Sequence, residues 1–328
     1  MDLSVVIVNY QTFELTKNTI NSILEYDYPF SYEIFVVDNA SGDDSLARLR
    51  DYFKDKVKFI ASKENNGFAA GNNQALRQAS GRYQLLLNSD TVVWENTLED
   101  IYCYMEEHED VGACGCRVLL EDGELDKACK RSFPNVKNSF IRLFHIPTNS
   151  EDDDYNLTDL PDDEVYEIDC LTGAFMFIRK DALDQIGLLD ETFFMYGEDI
   201  DLSYRLLQGG WQNYYLPCLI LHYKGESTEK SSYRYVHVFY EAMLIFFNKH
   251  YGKRHYLLGQ FIRLAVYVRA LIDMWQRLVQ RIRTRLHCPV RYAVPGYVRF
   301  DFDNTTVKEM LERLHNQPHG KRLWIETF

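Results

Sequence analysis

Short unbroken apolar runs alternate with amphipathic stretches through the first hundred residues. Residues 3–10 (LSVVIVNY) and 33–38 (EIFVVD) are β-branched runs with no polar face. That is the pattern of strands covered on both sides in a parallel sheet. Between them Leu15, Thr19, Ile20, Ile23 and Leu24 recur at helical spacing. A third run covers 57–61, a small-residue helix follows 65–71 as far as about Ala79, and a fourth strand covers 83–87. Strand alternating with helix predicts right-handed βαβ units and a doubly wound α/β sheet. In such sheets ligands bind beyond the carboxyl ends of the strands. Asn9, Asp38 and Asp90 all fall at such ends, which predicts one cleft.

The second half is less regular. Residues 111–120 read as a strand pair around Gly112 and Gly115, and 171–178 as a strand. Residues 198–205 (EDIDLSYR) read as a helix opening with three acids, and 211–221 as a returning strand that ends at His222. The stretch 150–164 is acidic, lacks apolar periodicity and reads as a mobile loop.

Charge changes this picture in two places. The net charge of −13 over 328 residues argues against nonspecific nucleic-acid binding. Base nevertheless gathers at 253–285, where Phe261, Leu264, Val268, Leu271, Trp275, Leu278 and Ile282 recur at helical spacing among Arg263, Arg269, Arg277, Arg281, Arg283 and Arg285. An Arg-rich amphipathic helix suits an anionic membrane surface. The same spacing also suits packing on the main domain, or the seam of a homodimer. No run of about 20 uncharged apolar residues is present, and the chain opens directly on a strand, so neither a spanning helix nor a signal peptide is expected. Seven cysteines without a C-x-x-C read as thiols in a reducing compartment.

The candidate chemistry is carboxylate and imidazole. Asp90, in Asn88-Ser89-Asp90, offers a hard oxygen ligand at a strand end, suited to Mg²⁺ or Mn²⁺ beside a diphosphate, although N-S-D is also a common turn. Glu198 and Asp199 offer a general base near a hydroxyl nucleophile, and acids at a helix start also serve as caps and dipole partners. On a helix Asp199 shares a face with Ser203, while Glu198 shares one with Asp201 and Leu202. His222 is a candidate metal ligand or a structural histidine. No G-x-G-x-x-G follows the first strand, where Asn9-Tyr10-Gln11 stands instead. A dinucleotide-binding dehydrogenase is thereby disfavoured.

Taken in order, VVIVNY at 5–10, VVDNASGDDS at 36–45, NNGFAAGNN at 65–73, LLLNSDT at 85–91, LTGAFMFIRK at 171–180, FFMYGEDIDLSYRLLQGGW at 193–211 and LHYKGES at 221–227 resemble glycosyltransferase family 2, in its rhamnosyltransferase-like branch. The resemblance implies the A-type glycosyltransferase fold, a mixed doubly wound sheet with a C-terminal helical extension. It implies that Asp38 binds the nucleotide base with Asn9 and Tyr10 beside it, and that Asn65, Asn66, Gly67, Ala70 and Asn73 line the nucleotide and ribose, with Asn88 and Ser89 near the donor. It gives Asp199 the role of general base, with Glu198 beside it, and makes Asp90 and His222 ligands of Mg²⁺ or Mn²⁺. Asn88 stands where the family's metal motif usually has its first acid, so the site carries less charge. Arg131, Gly173 and Trp211 are candidate acceptor contacts.

The resulting expectation is an inverting transferase in the cytoplasm, peripheral to the inner face of the cell membrane. It would move L-rhamnose from dTDP-rhamnose, or a hexose from a UDP-sugar, to a hydroxyl of a saccharide or lipid-linked saccharide in polysaccharide assembly. An inactive nucleotide-sugar-binding scaffold is the alternative, which Asn88 favours and the retention of Asp90, Asp199 and His222 disfavours. The expected parts are a catalytic domain over residues 1–228, a basic helical region over 229–288, and an extension over 289–328 without an assigned role.

Overall fold

The computed structural model describes residues 1–133, 155–223 and 233–251, isolated helical positions between 260 and 279, and the strands 297–301 and 322–326. The main sheet contains β1 (Leu3–Asn9), β2 (Tyr32–Asp38), β3 (Lys58–Ala61), β4 (Tyr83–Asn88), β5 (Thr91–Val93), β6 (Val111–Leu120), β7 (Tyr166–Glu167), β8 (Phe175–Arg179) and β9 (Gln212–His222). Their order is β3-β2-β1-β4-β8-β6-β9-β5, with β7 paired to β9. β1 runs parallel to β2 and β4, and β2 to β3. β8 is antiparallel to both β4 and β6, and β6 is parallel to β9. The carboxyl ends of β1, β2, β4 and β9 therefore lie along one edge.

β1 is apolar because helices cover this parallel part of the sheet. Val5, Val6 and Ile7 have no exposed surface. Trimming Ile7 to Ala removes several buried carbons and costs roughly 2–5 kcal/mol.

Helix α1 (Phe13–Leu24) buries Ile20 and Ile23, but it also buries Thr16, Thr19 and Ser22. These hydroxyls are used. Thr19 Oγ1 donates to the carbonyls of Ser89 (3.0 Å) and Thr91 (2.7 Å), and Val93 N donates to Ser22 Oγ (3.0 Å). The helix thus supplies hydrogen bonds to the short strand β5 and fixes the loop that carries Asp90.

The remaining helices are α2 (Ser45–Phe53), α3 (Gly67–Leu76), α4 (Thr97–Glu107), α5 (Lys180–Ile186), α6 (Glu198–Gln208) and α7 (Tyr233–His250). α7 rests on α6 and the loop before it. Ala242 and Phe246 pack with Phe193. Lys249 Nζ reaches Asp190 (2.5 Å) and Asp201 (2.8 Å), and His250 Nε2 reaches Asp201 (2.7 Å). Asp201 has no exposed surface. Burial opposes its charge, but His250, Lys249 and Arg205 overcome that and hold its carboxyl down at about 2.

Two expectations change. Residues 111–120 form the single strand β6, not a pair. Its glycines are places of close approach: a Cβ on Gly112 would strike Trp211, and one on Gly115 would strike Leu171. The described part of the acidic stretch, 155–164, is tied down rather than mobile. Lys130 Nζ, almost fully buried, donates to the carbonyls of Leu160 (2.6 Å) and Pro161 (3.2 Å) and to Asp162 (2.6 Å). Tyr215 Oη donates to the Asp162 carbonyl (2.8 Å).

The expectations for 134–154 and 224–232, and most of those for 253–328, lie outside the described residues. Within 289–328, β10 (Tyr297–Asp301) pairs in parallel with β11 (Arg322–Glu326).

Candidate active site

The site is built from three groups of side chains along the carboxyl edge of the sheet. The first surrounds Asp38. Asn9 Nδ2 donates to Asp38 Oδ1 (2.8 Å), and Ser41 donates to the same oxygen through its hydroxyl and to Oδ2 through its amide (3.2 Å). Asn39 Nδ2 donates to Asn65 Oδ1 and to the Gly67 carbonyl, both at 3.0 Å. Gly67 has φ +88°, and a Cβ there would overlap the Phe194 carbonyl. Only glycine lets the start of α3 lie against the loop before α6. Tyr10 is 36% exposed at the rim, Asn66 is exposed at the start of α3, and Ala70 is buried.

Asn73 sits differently from its expected place on the nucleotide. It is buried, donates to the Leu189 carbonyl (2.8 Å) and Glu191 (2.9 Å), and accepts from Leu189 N (3.2 Å). All of these bonds hold a loop.

The second group joins β4, β5 and β9. Thr91 pairs with His222 across the β5–β9 ladder, and Tyr223 N donates to the Asp90 carbonyl (2.9 Å). His222 Nε2 then lies 3.2 Å from Asp90 Oδ1 and 3.2 Å from Asn88 Nδ2. Two ligands on adjacent corners of an octahedron, each about 2.1 Å from Mg²⁺, stand about 3.0 Å apart. Asp90 and His222 already have nearly that separation. Turning the Asn88 amide over brings its carbonyl oxygen to the same point. The residues thus fit a hard divalent cation held by two protein ligands, with water and phosphate oxygens completing the shell. Among the described residues no cluster of three or more His, Cys, Asp or Glu could hold a metal.

The third group lies at the start of α6. Gly197, at φ +84°, turns the chain into the helix, and Glu198 and Asp199 follow. Asp199 Oδ2 accepts from Arg131 Nη2 (2.7 Å) and Gly173 N (3.2 Å), while Oδ1 accepts from Ile200 N (2.8 Å). The Asp199 side chain retains 14% exposure. Glu198 turns inward and its Oε2 has no hydrogen-bond partner among the described residues. Burial, then the neighbouring Asp199 charge, pushes the Glu198 carboxyl well above the usual carboxylate range. Of the two acids Asp199 is the one that reaches solvent, and Glu198 faces the interior with Asp201 and Leu202.

The groups are linked. Thr12 Oγ1 donates to Asn9 Oδ1 (3.2 Å) and meets Ser89 Oγ at 3.3 Å. Asn88 N donates to the Ala174 carbonyl (3.0 Å), one residue from the Gly173 amide that holds Asp199. A path of hydrogen bonds and single-residue chain steps therefore runs past Asp38, Ser89, His222 and Asp199.

Trp211 stands apart. It precedes β9, at the opposite end from His222, and its Nε1 donates to Gln185 (2.9 Å). Thr12, Asn39 and Ser41 are the members that sequence reasoning missed. The available signal was Ser41 three residues beyond Asp38, a spacing at which an acid side chain caps a backbone amide.

The profile of glycosyl transferase family 2 matches residues 4–187. The chain belongs to that family. It is 27% identical over 209 residues to the low-salt glycan biosynthesis hexosyltransferase Agl10 of Haloferax volcanii, covering 62% of this chain and 61% of that protein. It is 30% identical over 168 residues to rhamnosyltransferase WbbL of Escherichia coli K12, covering 48% and 61%. The chain thus spans less than two thirds of the length of these curated relatives. The crystal structure of GalNAc-T7 with UDP, GalNAc and Mn²⁺ superposes with a TM-score of 0.56 at 17% identity, over 91% of this chain and 60% of that one. The fold is accordingly that of A-type glycosyltransferases.

Proposed function

We propose that the chain transfers a sugar from a nucleotide-sugar donor to a hydroxyl of a saccharide acceptor in glycan assembly, with inversion at the anomeric carbon. The observation that carries this reading is the continuous polar path from Asp38 past Asp90 and His222 to Asp199. It gives a base-recognition group, a diphosphate-and-cation group and an acceptor-base group in the order a nucleotide sugar needs. Asp199, held by Arg131, takes the acceptor proton as that oxygen attacks. Asp90 and His222 would hold Mg²⁺ or Mn²⁺, which would supply electrostatic stabilisation of the departing diphosphate. Asn9, Asp38 and Ser41 orient the nucleotide.

The rhamnosyltransferase relative supports L-rhamnose from dTDP-rhamnose as the first donor, and the hexosyltransferase relative supports a UDP-hexose as the second. Thermal stabilisation by a panel of sugar nucleotides, followed by transfer from the best one, tests the reading. Stabilisation by none of them contradicts it. An inactive scaffold would bind donor yet transfer nothing with either metal.

The acceptor we favour is lipid-linked, met at the inner face of the cell membrane. Among the described residues no helix is long and apolar enough to cross a membrane. The helical positions Leu264, Tyr267, Leu271, Met274 and Trp275 are exposed, each at least half so. The sequence places six arginines among and beyond them in an otherwise acidic chain. Apolar anchors with interleaved basic residues suit an anionic lipid surface.

A further inference from the structure

Arg131 enters the site from outside its regular elements. It belongs to none of the strands or helices and is fixed by an isolated bridge to Cys170, whose amide donates to the Arg131 carbonyl (2.9 Å). Its side chain is 9% exposed. Nη2 donates both to Asp199 Oδ2 and to the Leu171 carbonyl, and Nε has no partner. The guanidinium thus ties the Asp199 carboxylate to the main chain at Leu171.

Two adjacent acids, Glu198 and Asp199, share this partly dry corner. The groups whose charge bears on them are Arg131 and Asp201, while Tyr155, Cys170 and Asp169 lie close to Arg131 or Cys170. Of the two acids only Asp199 pairs with the guanidinium, and Glu198 Oε2 is left without a partner among the described residues. Two like charges side by side in a buried place do not both ionise. One cation placed on one of them decides which does.

We propose that Arg131 is the positioning residue of the catalytic base: its largely buried guanidinium, 2.7 Å from the Asp199 carboxylate, holds that side chain aimed toward the acceptor in preference to Glu198. The inference rests on the reading of Asp199 as the base. It replaces a direct acceptor contact as the role of Arg131. Arg131 acts through Asp199 and touches no reacting atom.

The experiment is the pH profile of kcat/KM for wild type, Arg131→Gln and Arg131→Lys, with donor binding and melting temperature measured on the same preparations. The Gln variant should move the acidic limb up by about one pH unit, a roughly tenfold loss at the low end. Activity should recover toward alkaline pH. The Lys variant, which keeps the charge but not the fork, should keep the limb in place with a lower plateau. An unmoved limb in Arg131→Gln, whether with an equal loss at every pH or with a raised acceptor KM alone, overturns the proposal. Should the Gln variant fail to fold, the Lys variant decides, and a moved limb there overturns it. Asp199→Asn separates the two levels. If it is inactive while the Arg131→Gln limb stays fixed, only the role of Arg131 fails. If it is active, the base reading fails.

Discussion

Asp90 Oδ1 lies 3.2 Å from His222 Nε2, although Asp90 is in the turn between β4 and β5 and His222 ends the distant strand β9. The register of β5 on β9 makes this meeting, and the hydroxyls of α1 hold β5 in that register. Asn88 shares the spot and brings an amide where a second carboxylate would add charge. Replacing Asn88 with Asp should lower the metal concentration for half-maximal activity by about tenfold, equivalent to about 1.4 kcal/mol. His222→Ala should raise it. Titration with Mg²⁺ and Mn²⁺ at saturating donor checks both variants, and an unchanged titration for His222→Ala removes it from the metal shell.

Glu198 makes stability depend on pH in a defined direction. Its folded carboxyl is raised, so between the usual carboxylate value of 4.5 and the raised one the native state binds more protons than the unfolded state. Stability therefore falls as pH rises through that window. Glu198→Gln has no such proton to lose. Denaturant unfolding at pH 5 and pH 7.5 should show the variant gaining on wild type at the higher pH, and an equal difference at both values would contradict this.

Asp201 behaves in the opposite sense. Its carboxyl is held down at about 2 by His250, Lys249 and Arg205 against the opposing effect of burial. The stability this gives is complete above 3.8 and is lost as pH falls through about 2. Asp201→Asn leaves two cations facing a neutral amide and should cost roughly 3–5 kcal/mol. Thermal melting at neutral pH measures it, and a melting temperature near wild type would show that α7 is not anchored there.

The exposed positions Leu264, Tyr267, Leu271, Met274 and Trp275 predict flotation with anionic liposomes at low salt and release at high salt. Neutral liposomes should recover little of the chain. No flotation at low salt, with a dimer by light scattering, would assign the stripe to a second copy.

Much of the fold was legible because its first half obeys local rules. The runs at 3–9 and 33–38 are apolar on both faces since each strand has covered faces, and the α1 period marks its buried side. Glycines misled where their reason was tertiary. Gly112 and Gly115 looked like turn residues, but they make room for Trp211 and Leu171. Nothing local marks Lys130 either, whose ammonium is buried on the Leu160 and Pro161 carbonyls. Asn73 resembled a ligand residue and serves a loop. Nothing in the local pattern joins Arg131 to Asp199, because that contact depends on how the 131–170 bridge lies over α6.

Transfer by Asp199→Asn is the most direct test of the central claim. Purified variant and wild type would be compared for donor binding, melting and single-turnover transfer from the preferred sugar nucleotide. The account predicts wild-type donor affinity and a folded protein, with transfer reduced by at least about a hundredfold, the scale of a lost general base. Near wild-type turnover in the folded variant would contradict it.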